Sequence, residues 1–160
     1  MVAAQFGWHV FLRGIIWRGM KSPICTREFR IDDYEVAVRL WRVVEGVEIA
    51  EGDDKKDVAS FLERNPGWSR VAIIDGKIVG VALCGHDGRR GHIYHLAVEP
   101  AYQRQGLGKV LVDECLSSLR ATGIQRVIIL VAGDNERGLS FWRRAGWEKI
   151  DGAVAMGIDL

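Results

Sequence analysis

The chain has 160 residues, and its 22 lysines and arginines against 21 aspartates and glutamates leave a formal net charge of +1. A chain of this length suits one domain and can bury a core without disulfides or metal. The balanced charge excludes the basic excess typical of proteins that bind nucleic acid or anionic membranes, so any anionic ligand must be held locally. The three cysteines, Cys25, Cys84 and Cys115, form no metal-binding pattern. We expect them to be reduced and buried, as in a cytoplasmic protein.

The first 24 residues differ from the rest of the chain. Arg13 and Arg18 interrupt their apolar residues, and no periodicity persists. No apolar run approaches the roughly 18 residues needed to cross a membrane, and a secretory cleavage pattern is missing. Met20 offers a second start position. We therefore interpret residues 1–24 as a mobile leader or a mis-assigned start, and residues 25–160 as the functional domain.

The hydrophobic pattern after this leader predicts regular elements. Alternation over residues 26–31 indicates a strand, and helical spacing over 36–44 indicates the helix that follows. A second short helix is expected over 58–62, ending at Asn65-Pro66-Gly67. Between the two helices, residues 45–54 contain five acidic residues and two glycines. This segment, called the acidic loop below, is expected to connect the helices.

The middle of the chain predicts an antiparallel meander. Asp75-Gly76 separates two runs rich in β-branched residues, 71–74 and 78–84, and Asp-Gly in this setting is a strong hairpin signal. A second turn at Asp87-Gly88 leads to a third run over 93–98. Three consecutive antiparallel strands are therefore expected.

The last third of the chain alternates helices with strands. Apolar spacing predicts a long helix over 107–119, a continuous apolar run over 127–131 suits a buried central strand, and a short helix is expected over 135–145. A final strand is predicted over 154–158, with 147–150 as a further short candidate. The fold class is therefore α+β, with one domain built on a mixed, mostly antiparallel sheet of six to seven strands flanked by four helices.

One segment points to chemistry: residues 94–109, YHLAVEPAYQRQGLGK. Gly106 and Gly108 lie at the first turn of the predicted long helix, where missing Cβ atoms let backbone N–H groups approach an anion. The helix N-terminus adds about half a positive charge. The pattern predicts a pyrophosphate cradle, with a tight turn as the alternative. It matches neither a Walker loop nor a dinucleotide fingerprint.

The same segment resembles motif A of the Gcn5-related N-acetyltransferases (GNATs), whose Gln/Arg-x-x-Gly-x-Gly/Ala signature is matched by Gln103, Gly106 and Gly108. YQRQGLG is similar to the equivalent segment of bacterial ribosomal-protein alanine N-acetyltransferases. A second match follows the family's Asn-x-x-Ala-x-x-Phe-Tyr-x-x-x-Gly-Phe pattern, at Asn135, Gly138, Phe141, Trp142, Gly146 and Trp147. The resemblance covers about Thr26 to Leu160.

This resemblance implies an acetyl-CoA-dependent N-acetyltransferase in which acetyl-CoA, the co-substrate, lies between two splayed strands and no metal takes part. Main-chain groups of Leu96, Ala97 and Val98 would face the pantetheine arm and the thioester carbonyl, and Asn135 would hydrogen-bond the pantetheine. The pyrophosphate would be bound by the loop and first helical turn that carry the signature, namely Gln103, Arg104, Gln105, Gly106, Leu107, Gly108 and Lys109.

The sequence departs from the family at two catalytic positions. Many relatives use a Tyr near the CoA sulfur, but this chain has Trp142 there, and an indole N–H donates a hydrogen bond without serving as an acid near neutral pH. The alanine acetyltransferases carry a Glu base at a position occupied here by Leu130. Trp142 therefore stays a catalytic-site candidate as a hydrogen-bond donor, and another base is needed.

His92 and His95 are the candidate bases, since an imidazole ionises near neutral pH. The alternatives are a solvated strand end for His92 and a packed, hydrogen-bonded ring for His95. Three glutamates of the acidic loop are candidate substrate residues, acting through water or as a counter-charge for a cationic acceptor: Glu45, Glu48 and Glu51. The alternative for them is a plainly solvated loop.

The acceptor is predicted to be a primary amine of low pKa. At pH 7, deprotonating an α-amine of pKa about 7.7–8.0 costs around 1–1.4 kcal/mol, whereas a lysine of pKa about 10.4 costs near 4.6 kcal/mol. An enzyme without the usual Glu is better suited to the first, on a small molecule or a peptide N-terminus. The rival hypothesis is a non-catalytic acyl-CoA binding or sensor module. A cytoplasmic location is expected, nucleic acid and membrane partners are not, and homodimerisation is an option by resemblance alone.

Overall fold

A computed structural model describes residues 23–158, so almost all of the predicted leader lies outside the described residues. Ile24, its last residue, is buried in the core. The described chain forms four α-helices, α1 Tyr34–Val43, α2 Lys55–Arg64, α3 Leu107–Ala121 and α4 Glu136–Arg144. Its strands are β1 Cys25–Glu28, β2 Arg70–Ile74, β3 Lys77–His86, β4 Gly91–Val98 and β5 Val127–Ile128.

The strands form one mixed sheet in the order β1-β2-β3-β4-β5. The first four pair antiparallel, and β5 pairs parallel with β4. The predicted hairpin is confirmed at Asp75-Gly76, where both residues have positive φ, 49° and 74°. This conformation matches the twist of paired strands, and Asp-Gly is well suited to it.

The prediction of six to seven strands was wrong for the described residues, which contribute five. Residues 147–150 and 154–158 form no strand, and Val154 and Ile158 are 84% and 85% exposed. A strand needs a partner for its N–H and C=O groups. Only Val127 and Ile128 of the predicted run 127–131 are in a strand, so β5 offers little edge for a further one.

Helices cover both faces of the sheet, and a hydrophobic core lies under each face. On one face, α1 and α2 pack with buried residues that include Trp41, Val58 and Ala97. On the other face, α3 packs through Leu111 and Cys115, and side chains of α4 close the edge of this core. The two clusters together hold the strands that carry the site.

An ion pair fixes the connection between β1 and α1. Arg27 donates to both carboxylate oxygens of Asp33, with N–O distances of 2.6 and 2.8 Å, and the Arg30 amide donates to Asp33 at 2.9 Å. Burial alone would raise the pKa of the Asp33 carboxyl, but these three hydrogen bonds outweigh it and hold that pKa below its usual 3.8.

Within residues 23–158, no helix has the length and apolar character needed to cross a bilayer.

Candidate active site

The site begins where β4 and β5 separate. Their parallel pairing is limited to Gly91 with Val127 and His92 with Ile128. Beyond these pairs, β4 continues to Val98 with its β5-side edge unpaired in the described structure. The open edge of β4 beyond the end of β5 is called the cleft below.

Hydrogen bonds show which groups of β4 face this cleft. The Glu99 amide donates to the Val79 carbonyl on β3, whereas the Val98 carbonyl accepts from the Gln103 side chain at 2.8 Å. Main-chain groups of successive strand residues point to alternate edges, so Leu96 is directed to the cleft with Val98. Ala97 pairs with Val81 on β3. Leu96 and Val98 are therefore the candidates from this strand for main-chain contacts with a ligand.

A β-bulge interrupts β4 in the same region. The register passes from Leu83–Tyr94 to Val81–Ala97, so His95 and Leu96 together oppose a single residue of β3. His95 has φ of 49°, a left-handed conformation that costs a non-glycine residue about 1–3 kcal/mol. The bulge turns the His95 side chain out of the regular alternation of the strand. Nothing in the one-dimensional pattern indicated this bulge.

The glycine-rich loop has the geometry of an anion cradle. Gly106 is the N-cap of α3 with φ of 85°, and Arg104 is also left-handed with φ of 61°. The amides of residues 104–109 donate to no backbone acceptor within residues 23–158. A Cβ built on Gly108 would lie 3.3 Å from the Phe141 ring, so a side chain there would press on α4. Bare amides at a helix N-terminus suit a phosphate.

Side chains around the cradle hold its shape. Gln103 fastens the loop to the end of β4 through Val98, and Gln105 Nε2 donates to the Ala101 carbonyl at 3.1 Å. Lys109 Nζ lies 2.6 Å from Asp113 one turn along α3. Backbone groups, more than these side chains, are therefore left to bind an anion.

Asn135 lies at the start of α4. Its Oδ1 accepts from the Gly138 amide at 2.8 Å, which makes it the helix N-cap. Its Nδ2 is in contact with Gly46 of the acidic loop. Arg137 reaches the same loop through Glu45, at 3.3 Å. The α4 N-terminus and the acidic loop are thus packed together.

His95 lies in a defined polar cluster on the α1 side of the sheet. Its Nε2 is 2.6 Å from Asp53 Oδ1, and its ring centroid is 4.5 Å from that of Trp41. Both side chains of the His95–Asp53 pair are 17% exposed. The sequence analysis did not single out Asp53, because the two residues are 42 positions apart in the chain. The one sequence feature that could have indicated Asp53 is its position in the acidic loop, next to the three candidate glutamates.

His92 has a different environment. Its ring stacks on that of Tyr94 at 5.6 Å, and Tyr94 in turn packs edge-on against Phe61 of α2. Burial raises the pKa of the Tyr94 hydroxyl, with a smaller contribution from Asp87. The candidate base His92 therefore belongs to an aromatic row on β4 and lacks the carboxylate contact that His95 has.

The remaining candidates are dispersed. Trp142 packs against Phe141 and Trp147, each at a centroid distance of 5.0 Å, at the edge of the α3-side core. Glu48 and Glu51 are exposed. Within residues 23–158, no group of three or more His, Cys, Asp or Glu side chains is arranged to hold a metal ion.

Most of the sequence matches a known family. The Acetyltransferase (GNAT) family matches residues 32–147, a span that includes the acidic loop, the β4 bulge and the amide cradle. An acetyltransferase from Sodalis glossinidius is 30% identical over 131 residues, which cover 82% of this chain and 92% of that protein. The chain therefore belongs to the GNAT acetyltransferase family and is an acyltransferase.

Solved structures share the fold. The PaiA N-acetyltransferase from Thermoplasma acidophilum, solved in complex with coenzyme A, is 19% identical with a TM-score of 0.71, covering 81% of this chain and 92% of that one. The ribosomal-protein-S18-alanine N-acetyltransferase from Escherichia coli is 21% identical with a TM-score of 0.63, covering 77% and 76%. At these identities the likeness concerns the fold.

Proposed function

We propose that this protein transfers the acetyl group of acetyl-CoA directly to a primary amine of low pKa, either the α-amino group of a small molecule or a peptide N-terminus. The observation that carries the proposal is the spatial arrangement of the amide cradle, the open edge of β4 and His95. The amide cradle at Gly106 and the open edge of β4 meet at the cleft, and His95 follows at the bulge of that same strand.

Each part of acetyl-CoA, from the pyrophosphate to the thioester, has a matching group in this arrangement. Its pyrophosphate would take the bare amides of residues 104–109, and the amide-rich pantetheine arm would pair with β4 as an added strand does. Main-chain groups of Leu96 and Val98 would contact the pantetheine and the thioester, and Asn135 Nδ2 remains a donor for the same arm. The PaiA fold neighbour was solved in complex with coenzyme A, which supports acetyl-CoA as the co-substrate.

The transfer needs no covalent enzyme intermediate. The ammonium gives up a proton to His95, and the freed amine forms a C–N bond with the thioester carbonyl carbon. A cleft-facing amide of β4 stabilises the oxyanion. The C–S bond then breaks, and the amide nitrogen gives up its second proton to water as the tetrahedral intermediate collapses. CoA leaves as a thiolate, which takes up one proton through solvent. Since a free thiol has a pKa of about 8.5, this departure requires no side-chain acid, and Trp142 can serve by packing and hydrogen bonding.

The acceptor class follows from proton cost. Removing a proton at pH 7 costs about 1–1.4 kcal/mol for an α-amine and near 4.6 kcal/mol for a lysine, and a histidine base suits the smaller cost. One fold neighbour is named as an N-acetyltransferase of the ribosomal protein S18 alanine, and an α-amine acceptor for this chain agrees with that name. Glu45, Glu48 and Glu51 would attract the cationic acceptor toward the cleft as an exposed negative surface.

The test is an acceptor screen at pH 7 with purified protein and acetyl-CoA. CoA release is followed with a thiol reagent across α-amines, N-terminal peptides and N-terminally blocked lysine peptides. We expect α-amines to be preferred in kcat/KM. Preference for ε-amines would contradict the proposed acceptor class. Tight CoA binding without transfer to any amine would favour an acyl-CoA sensor instead.

A further inference from the structure

The acidic loop supplies one residue to the polar cluster around His95, and that residue is Asp53. We propose that Asp53 is a positioning residue for the transfer: it holds the imidazole of His95 in one tautomer and makes Nδ1 the proton-accepting atom. This inference rests on the proposed function, because it assigns His95 the role of base.

Asp53 is itself firmly held. One carboxylate oxygen lies 2.6 Å from His95 Nε2, and the other accepts from the Ala50 amide at 2.9 Å. The Asp53 carbonyl accepts from the Tyr34 hydroxyl at 2.9 Å, and the Asp53 amide donates to the Ala50 carbonyl at 3.2 Å. Four hydrogen bonds therefore hold Asp53, two at its carboxylate and two at its backbone, so its contact with His95 is a feature of the folded loop.

The contact dictates the tautomer. An ionised carboxylate only accepts hydrogen bonds, so the proton shared at 2.6 Å belongs to His95 Nε2. In the neutral imidazole, the lone pair is then on Nδ1. The ring is also held by Trp41 from α1, at a centroid distance of 4.5 Å, so it cannot turn freely to exchange its two nitrogens. Asp53 faces the ring from the loop and Trp41 faces it from α1, with Tyr34 behind Asp53.

The consequence for the reaction is a defined path for one proton. The proton of the ammonium passes to Nδ1, directly or through one water, as the amine nitrogen bonds to the thioester carbon. The resulting imidazolium keeps its Nε2–H on the Asp53 carboxylate, which stabilises the positive charge. The proton on His95 is returned through solvent to the departing thiolate, and the second proton of the amine is lost to water as the amide forms, so the pair ends each turnover unchanged.

The test compares Asp53→Asn with Asp32→Asn, an exposed carboxylate in the turn before α1 that removes the same charge. At position 53 an amide would keep its oxygen on the Ala50 N–H, so its nitrogen would donate to Nε2 and force the proton onto Nδ1. We expect Asp53→Asn to lower kcat/KM roughly 100-fold with the affinity for acetyl-CoA unchanged, since positioned proton transfer contributes on that order. We also expect the shape of its kcat/KM–pH profile to change, because Asp53 no longer sets which ring nitrogen of His95 carries the proton. Asp32→Asn should match the wild type in both.

A double variant separates positioning from other roles. His95→Asn removes the base with a residue that tolerates the left-handed conformation at that position. If Asp53 acts through His95, the Asp53→Asn/His95→Asn protein has the same kcat/KM as His95→Asn alone. Independent, multiplying losses would overturn the proposal, as would an Asp53→Asn profile that superimposes on the wild type.

Tyr34→Phe provides a second route if Asp53→Asn does not fold. It removes the hydroxyl bond to the Asp53 carbonyl and should lower kcat/KM several-fold in the same direction, with acetyl-CoA affinity intact. An unchanged kcat/KM would count against the positioning role. Wild-type protein that acetylates no amine would instead refute the proposed function, and this outcome is distinct from active wild type with an unaffected Asp53 variant.

Discussion

Gly46 and Asn135 touch where the acidic loop meets the start of α4. A Cβ built on Gly46 would overlap Asn135 Nδ2, and Gly46 has φ of 78°. Asn135 caps α4, so this contact joins the acidic loop to the start of that helix. The position of the loop, and of Asp53 within it, therefore depends on a residue without a side chain at position 46.

The first prediction concerns this contact. Gly46→Ala strains the backbone and also displaces Asn135. Gly52 of the same loop has φ of 89°, but a Cβ built there meets open space, so Gly52→Ala strains the backbone alone. Gly52→Ala should cost about 1–2 kcal/mol for the left-handed backbone. Gly46→Ala should cost a further 1–3 kcal/mol or so from overpacking. Denaturant unfolding measures both. Equal losses for the two variants would show that the loop moves away from α4 easily.

The second prediction concerns the cradle. Gly106→Glu places a carboxylate among the amides that face an anion and strains a residue with φ of 85°. We expect the Kd for CoA to rise more than tenfold, that is by more than about 1.4 kcal/mol. Gly123→Ala, at the other end of α3 with φ of 83° and no neighbour within 4 Å of its Cβ, is the matched control. Undiminished CoA affinity in Gly106→Glu, measured by calorimetry, would place the pyrophosphate elsewhere.

The third prediction follows from the lowered pKa of Asp33. A carboxyl whose pKa is lower in the folded state stabilises the fold above its unfolded pKa, near 3.8, and this stabilisation is lost as pH falls through the folded pKa. Asp33→Asn should therefore destabilise the protein at pH 7, by about 1–3 kcal/mol, since it leaves Arg27 partly buried without its partner.

The check on this prediction is urea unfolding of Asp33→Asn, Asp32→Asn and wild type at pH 7 and pH 3. The gap between wild type and Asp33→Asn should narrow at pH 3, and Asp32→Asn should track the wild type. A gap that is independent of pH would mean that packing, and not the charge of Asp33, accounts for the loss.

The fourth prediction concerns the cysteines, all three of which are free. Cys84 and Cys115 are buried as predicted, whereas Cys25 is half-buried. A hydrogen bond with Cys84 raises the pKa of the Cys115 thiol above its usual 9.0, and burial raises it further. Since the thiolate is the reactive form, we expect a thiol reagent to modify Cys84 and Cys115 slowly in the native protein. Mass spectrometry after a brief exposure to a thiol reagent should find label only at Cys25. Rapid labelling of Cys115 would contradict the buried contact.

Most helices and the meander could be predicted because local chemistry determines them. The Asp75-Gly76 turn and the apolar face of α3 are both encoded by residues near each other in sequence. Gly106 belongs to the same group, since its role depends on the helix that it begins. The prediction of a strand over residues 154–158 was wrong. Alternating apolar residues indicate a tendency toward extended backbone, but they do not supply a partner strand.

The site was less accessible to sequence than the fold. His95 was a candidate because of its residue type and its strand, but its role is shaped by a bulge that depends on the register with β3. Asp53 is brought to it by the packing of the acidic loop on α1 and α4, a relationship between distant segments. Long-range packing of this kind leaves no local pattern in one sequence.

The central claim is that the protein acetylates a low-pKa amine, and one peptide can test it directly. A substrate peptide with both a free N-terminus and an internal lysine is incubated with acetyl-CoA and enzyme at pH 7, and the modified nitrogen is located by tandem mass spectrometry. We expect the acetyl group on the α-amine, with the yield strongly reduced in His95→Asn. Acetylation of the lysine, or equal yields from wild type and His95→Asn, would contradict it.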